Sequence, residues 1–245
     1  MKRLLSYPIS AFFYLNFGFL LVFFHVVQVI AYYLGGYHAH KRSVDLLNYF
    51  LIHNLALLGS AVHFRGFDKI PAGRQLIIVS NHQSMFDIPA VVWGFRAFHT
   101  KFISKKELGR NIPSISFNLK HGGSLLIDRG RGAQALKDIA AYGASLRDKK
   151  FSICIFPEGT RSANGALREF KAGGLKALVT AMPEALIVPF AIDGHYKLFQ
   201  TGSFPLEPGH RLTYTALAPI EPSAYNLEDL APMIRQRIAS HLGQA

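Results

Sequence analysis

Two kinds of hydrophobic pattern divide the 245-residue chain. From Leu4 to His40 there is no Asp, Glu, Lys or Arg. Apolar residues run almost unbroken through the 27 residues from Pro8 to Leu34, PISAFFYLNFGFLLVFFHVVQVIAYYL. As a helix this segment is roughly 40 Å long, against a hydrocarbon core of roughly 30 Å. It is too long, and too aromatic at its end, for the apolar region of a signal peptide, and no small-residue cleavage site follows. The expectation is membrane embedding rather than a buried helix of a soluble protein. Asn16, His25 and Gln28 interrupt the run. Lys2 and Arg3 precede it and Lys41 and Arg42 follow, so flanking charge does not set an orientation. Beyond it, Val44, Leu47, Leu51, Leu55, Leu58 and Val62 recur three and four apart, an apolar stripe on a second helix, with Asp45, His53 and Ser60 on the other side. That stripe fits an interfacial helix and a core-facing helix equally. The two segments predict a membrane-anchoring helical hairpin over residues 1–62.

From about Phe64 the texture changes to short alternating elements. Strands are predicted at Leu76–Ser80, Lys101–Ser104, Ser124–Ile127, Phe151–Phe156, Leu186–Ile192 and Arg211–Ala216, each short and rich in Ile, Val, Leu or Phe. Helical patterns lie at Pro89–Phe95, Ala133–Leu146, Gly174–Ala181 and Leu227–Leu242, the last with Ser223 or Asn226 as N-cap. Strands alternating with helices predict an α/β domain over residues 63–245, with a mixed, largely parallel sheet flanked by helices.

Composition sharpens this picture. The chain is 50% hydrophobic and only 17% charged, where about 25% is usual for a soluble domain. Its net charge of +12 suits a polyanion: nucleic acid, anionic lipid headgroups or a phosphorylated co-substrate. The single cysteine, Cys154, excludes an internal disulfide and points to a reducing compartment. Eleven histidines include no metal-binding spacing, so no metal site is expected.

Chemistry in such sheets collects at the carboxyl ends of the strands. Three polar clusters follow predicted strands: NHQSMFD after Leu76–Ser80, DRG after LLI, and FPEGTRS after Ser152–Ile155. If a helix starts near Ser84, His82 lies just before its first turn and Asp87 within it. The carboxylate can then fix one imidazole nitrogen and leave the other free to take a proton. This is a base and its orienter without a nucleophile, which suits a substrate that brings its own hydroxyl. Ser84 is two residues from His82 and lacks an elbow motif, and Cys154 sits in an apolar strand, so neither reads as a nucleophile. In FPEGTRS, Pro157 and Gly159 make a tight turn, Arg161 offers a fork for phosphate oxygens, and Thr160 adds a hydroxyl. Glu158 orders the turn or holds Arg161. Lys105 and Arg129 are further cations close to strand ends that can converge with Arg161 on one phosphate, and Lys171 either joins them or serves the phosphates of a donor.

These blocks resemble the 1-acyl-glycerol-3-phosphate acyltransferase (PlsC-like) family of glycerolipid acyltransferases. NHQSMFD fits its N-H-x-x-x-x-D motif and FPEGTRS its second signature. SKKEL, GGSLLIDR and LIVPFAI are similar to its remaining blocks, in the same order, between about Leu76 and Pro219. The hairpin is similar to the membrane-anchoring helices of bacterial members. The resemblance implies that His82 deprotonates a lysophospholipid hydroxyl, Asp87 orients it, and the hydroxyl attacks the thioester of acyl-CoA or acyl-carrier protein. It implies that Arg161, with Gly159, Glu158 and Thr160 shaping its loop and Lys105 and Arg129 assisting, holds the acceptor phosphate. No cofactor beyond the acyl donor and no nucleic acid is expected. The expected location is the inner or plasma membrane, with the catalytic domain on the cytoplasmic face. A lipid hydrolase with the same pair, a non-catalytic anionic-lipid binder and another lyso-lipid acceptor are the competing readings.

Overall fold

The structure, a computed structural model, describes residues 2–128 and 132–245. Among these, seven strands form one sheet: β1 (Ala61–Arg65), β2 (Leu76–Ser80), β3 (Lys101–Lys105), β4 (Leu125–Ile127), β5 (Ile153–Ile155), β6 (Leu186–Asp193) and β7 (Arg211–Ala216). Their order is β1-β7-β6-β2-β5-β3-β4, and every neighbouring pair is parallel except β6 and β7. The helices are α1 (Lys2–Asn54), α2 (Asp87–Gly94), α3 (Ile115–His121), α4 (Gly132–Lys149), α5 (Ala172–Ala181) and α6 (Leu227–Leu242).

The central strand explains the layering. All five residues of β2 are buried, as a parallel strand covered on both faces requires. Ile77 and Val79 pack with Ile139, Leu178 and Ile234 of α4, α5 and α6. Leu76 and Ile78 point to the other face, among Phe13, Ile52, Phe86 and Phe95 of α1 and α2 and their flanks. Helix α1 thus shares the core of the sheet rather than standing apart from it.

The hairpin bends at Gly36 (φ 68°, ψ −162°), whose non-helical backbone divides α1 into two helical arms. Its arms are tied by Asn16 Nδ2 donating to Asn54 Oδ1 at 2.6 Å and Asn54 Nδ2 to the Phe13 carbonyl at 3.3 Å. The polar interruptions face protein: Asn16 meets Asn54, His25 Nδ1 accepts from the Ser114 N–H, and Gln28 is buried. Phe12, Leu15, Phe19, Val22, Val26, Ile30 and Tyr33, spaced three and four apart, are each more than half exposed. The first arm therefore has an apolar face that no part of the described chain covers.

The second arm resolves an alternative the periodicity left open. Val44, Leu47, Leu51, Leu55 and Leu58 are all buried, so the stripe faces protein. It also ends sooner than its spacing implies. The α-helix stops at Asn54, one 3₁₀ turn (Leu55–Leu58) follows, and Gly59 reverses the chain with a positive φ of 66°. Val62 lies in β1, pairing with Leu212 of β7, and Ser60, just before that strand, is buried. The last two residues of the segment expected to be hairpin thus belong to the sheet.

Candidate active site

The carboxyl ends of β2 and β5 lie side by side, since Val79 pairs with Ile155, and the loops leaving them meet. Asn81 ends β2 by gripping β6. Its Nδ2 donates to the Ile192 carbonyl and its Oδ1 accepts the Ile192 N–H, both at 2.8 Å. The next residue, His82, is held through its backbone and one ring face by the loop after β5. Glu158 Oε1 accepts its backbone N–H at 3.0 Å, and its carbonyl accepts the Ser162 N–H at 2.8 Å. Its ring stacks on Phe156 with centroids 4.2 Å apart and planes 22° from parallel. The two motifs are therefore one structure: FPEGTRS is the cradle of His82.

Asp87 opens α2 and is fully buried. Its Oδ2 accepts from His82 Nδ1 at 2.7 Å, from the Gln83 N–H at 2.6 Å and from the Ser84 N–H at 3.0 Å. Burial alone would raise this carboxyl, but the hydrogen bonds from His195 and His82 hold it below the usual carboxylate range. With His82 Nδ1 committed to Asp87, the lone pair for proton transfer is on Nε2. The imidazole stays partly accessible, with 14% of its side-chain surface exposed, whereas Asp87 has none.

The other nearby groups are occupied or inert. Ser84 is buried, with its Oγ accepting the Phe86 N–H at 3.0 Å and lying 3.3 Å from Asp87 Oδ1. Cys154 is buried in β5, and burial, then the charge of Asp87, pushes its thiol well up.

The residues expected to bind phosphate divide differently. Glu158 is buried, its carboxyl raised by burial, and it is spent on His82 rather than on Arg161. Gly159 has φ 71°, and a side chain there would meet Lys171 Nζ at 3.7 Å, so Lys171 lies over this turn. Thr160 and Arg161 are exposed at the loop tip, and among the described contacts Arg161 has no hydrogen-bond or ion-pair partner. Lys105 is exposed at the carboxyl end of β3, in register with Ile127 of β4. Arg129 lies outside the described residues. The structure thus brings Gly159 and Lys171 together beside His82 and shows no direct contact linking Lys105 to them.

Sequence reasoning missed His195. It is fully buried, with Nδ1 2.5 Å from Asp87 Oδ1 and Nε2 2.5 Å from Tyr214 Oη. The available signal was its place: it follows Asp193 and Gly194 at the carboxyl end of β6, a strand the pattern had located.

A family model described as Acyltransferase matches residues 61–193. The 1-acyl-sn-glycerol-3-phosphate acyltransferase alpha of Ovis aries is 28% identical over 158 residues, 64% of this chain and 54% of that protein. The 1-acyl-sn-glycerol-3-phosphate acyltransferase of Limnanthes alba is 29% identical over 181 residues, 73% of this chain and 61% of that protein. The chain thus matches only about half to three-fifths of the length of these relatives. The crystal structure of the 1-acyl-sn-glycerophosphate (LPA) acyltransferase PlsC from Thermotoga maritima superposes with a TM-score of 0.80 at 22% identity, covering 100% of this chain and 98% of that one. Because the family match takes in more than half of the chain, from β1 through β6, and contains both loops that meet at His82, this chain belongs to the acyltransferase family.

Proposed function

We propose that the chain moves a fatty acyl group from a thioester donor, acyl-CoA or acyl-carrier protein, to the free hydroxyl of 1-acyl-glycerol-3-phosphate, giving phosphatidate. The observation that carries this reading is the His82–Asp87 contact, 2.7 Å from Nδ1 to Oδ2, beside a glycine turn rich in cations. His82 Nε2 takes the hydroxyl proton as the oxygen attacks the thioester carbonyl. The C–O bond forms, the C–S bond breaks, and the departing thiolate receives the proton from His82. No acyl-enzyme is required, and holding the two substrates together supplies much of the rate. Arg161 and Lys171, at the mouth of the same loop, are the groups assigned to the acceptor phosphate, with Lys105 and Arg129 assisting.

The acceptor is a membrane lipid, and the exposed stripe from Phe12 to Tyr33 is the surface assigned to a bilayer. That surface is close to the chemistry. Phe13 and Phe17 of α1 meet Phe86, the residue before Asp87, with centroids 5.6 and 5.8 Å apart. We assign the domain to the cytoplasmic side of that bilayer.

The test is an acyl-transfer assay on purified protein with both donor types and a panel of lyso-acceptors. The reading expects lysophosphatidate to be preferred over acceptors lacking the phosphate monoester. Release of free fatty acid without any acceptor product would replace it with a hydrolase.

A further inference from the structure

Asp87 carries two imidazoles, and the reaction as written uses only one. Oδ2 serves His82 and two backbone amides, while Oδ1 faces His195 Nδ1 at 2.5 Å and Ser84 Oγ at 3.3 Å. We propose that His195, itself fixed by Tyr214, is a positioning residue that sets the orientation and charge of the Asp87 carboxylate for His82. The proposal rests on the reading of His82 as the base.

Three elements deliver this arrangement. Asp87 comes from the start of α2, His195 from the turn after β6, and Tyr214 from β7, where it pairs with Ile192. The turn requires glycine at position 194. Its φ is 94°, and a Cβ would lie 2.3 Å from the Arg211 carbonyl oxygen. One residue further on, the His195 ring enters a site with no exposure to solvent, edge-on to Phe86 and Tyr214.

The proton inventory fixes the direction of each bond. Burial, then the charge of Asp87, pushes the Tyr214 phenol well up, so it keeps its proton and donates to His195 Nε2. Nδ1 then bears the other proton and donates to Asp87 Oδ1. A carboxylate with donors on both oxygens cannot turn away from His82. The donor on Oδ1 also draws off part of its charge. Removing that donor lets His82 keep its proton to higher pH. The titratable groups facing Asp87 are His82, His195, Tyr214 and Cys154, and Glu158 faces His82 from the loop after β5.

The test uses the full chain in mixed detergent–phospholipid micelles. His195→Leu removes the donor, His195→Asn retains an N–H near the Nδ1 position, and Tyr214→Phe removes the group that sets the tautomer. In His195→Leu, kcat should fall about 10- to 100-fold, the range for groups that orient a reacting ligand from behind, with the acceptor KM little changed. The acidic limb of kcat/KM should move to higher pH, and so should the His82 imidazole midpoint followed by NMR without substrate. His195→Asn should recover most of both, and Tyr214→Phe should move both in the direction of His195→Leu by less. If His195→Leu does not fold, Tyr214→Phe carries the same readouts. The proposal is overturned if the folded variants keep the wild-type limb and the wild-type His82 midpoint. If the wild type transfers no acyl group, the reading of the reaction fails instead, and the His82 midpoint alone decides the positioning claim.

Discussion

Asp87 is the most constrained side chain of the site, and its substitution should be felt in two independent ways. Asp87→Asn replaces a carboxylate that accepts from two imidazoles by an amide that must present a donor to one of them. It should therefore favour the wrong tautomer of His82 and lower kcat severely. The double variant with His82→Ala should be scarcely worse than either single one, because the two residues act as a unit. The second effect is on stability. The folded carboxyl is held below its ordinary range of about 4, so its pairing contributes fully above that range and is lost as pH falls through the lower, folded value. Melting curves in acid should show this limb in the wild type and a flatter one in Asp87→Asn. At the loop tip, Arg161→Lys should raise the acceptor KM or depress kcat/KM strongly with the fold intact, since a point charge does not reproduce a planar fork. Unchanged kinetics with a phosphorylated acceptor would remove Arg161 from the binding role. The residue pattern made His82, Asp87 and the FPEGTRS turn legible because each motif is local. The partnership of Glu158 with the His82 backbone and of His195 with Asp87 was not, because those pairs lie 76 and 108 residues apart and only the sheet brings them together.

At the scale of elements, the hydrophobic pattern located every strand of the described sheet except β1 and every helix except α3. β2 and β7 fall at their expected bounds. β1 was missed because Val62 continues the three-and-four spacing of the preceding helix, while its alternating AVHFR pattern lies on an edge strand of intermediate burial. α3 was missed because seven residues after a proline give too little periodicity to read. The bend at Gly36 matters beyond the hairpin. Near it, Lys101 at the start of β3 is buried and donates to Tyr37 Oη and the Gly122 carbonyl, both at 2.6 Å, stapling the bend to the sheet. Burial, then the charge of Lys41, lowers this amine to about 8. The unfolded chain then binds more protons than the folded one between about pH 8 and 10.5, so this group makes the fold more stable as pH rises across that window. Lys101→Met should lack that contribution. The Tm difference between wild type and variant, measured in detergent, should move in favour of the wild type from pH 8 upward. A difference that stays flat with pH would show that Lys101 is not the buried, titrating staple described.

Across the whole molecule, one aromatic layer joins the exposed apolar stripe of α1 to the His82–Asp87 pair. The stripe of α1 faces outward, Phe13 and Phe17 press on Phe86, and Asp87 follows in the chain. Charged substitutions on the stripe, such as Phe19→Glu with Val26→Glu, should release the protein from phospholipid vesicles while leaving its circular dichroism unchanged. Retention on vesicles would move the membrane contact elsewhere. The net charge of +12 should make vesicle binding stronger with anionic lipids and weaker with added salt. The central claim, that His82 is the base of an acyl transfer without a covalent enzyme intermediate, is tested most directly by single-turnover transfer from an acyl thioester to lysophosphatidate in vesicles. The comparison is between the wild type and His82→Ala shown by circular dichroism to be folded. The account predicts that the His82→Ala rate falls by about 10²- to 10⁴-fold, with no acyl group on Ser84 or Cys154 by mass spectrometry. Transfer at close to the wild-type rate, or an acyl adduct trapped on either residue, would contradict it.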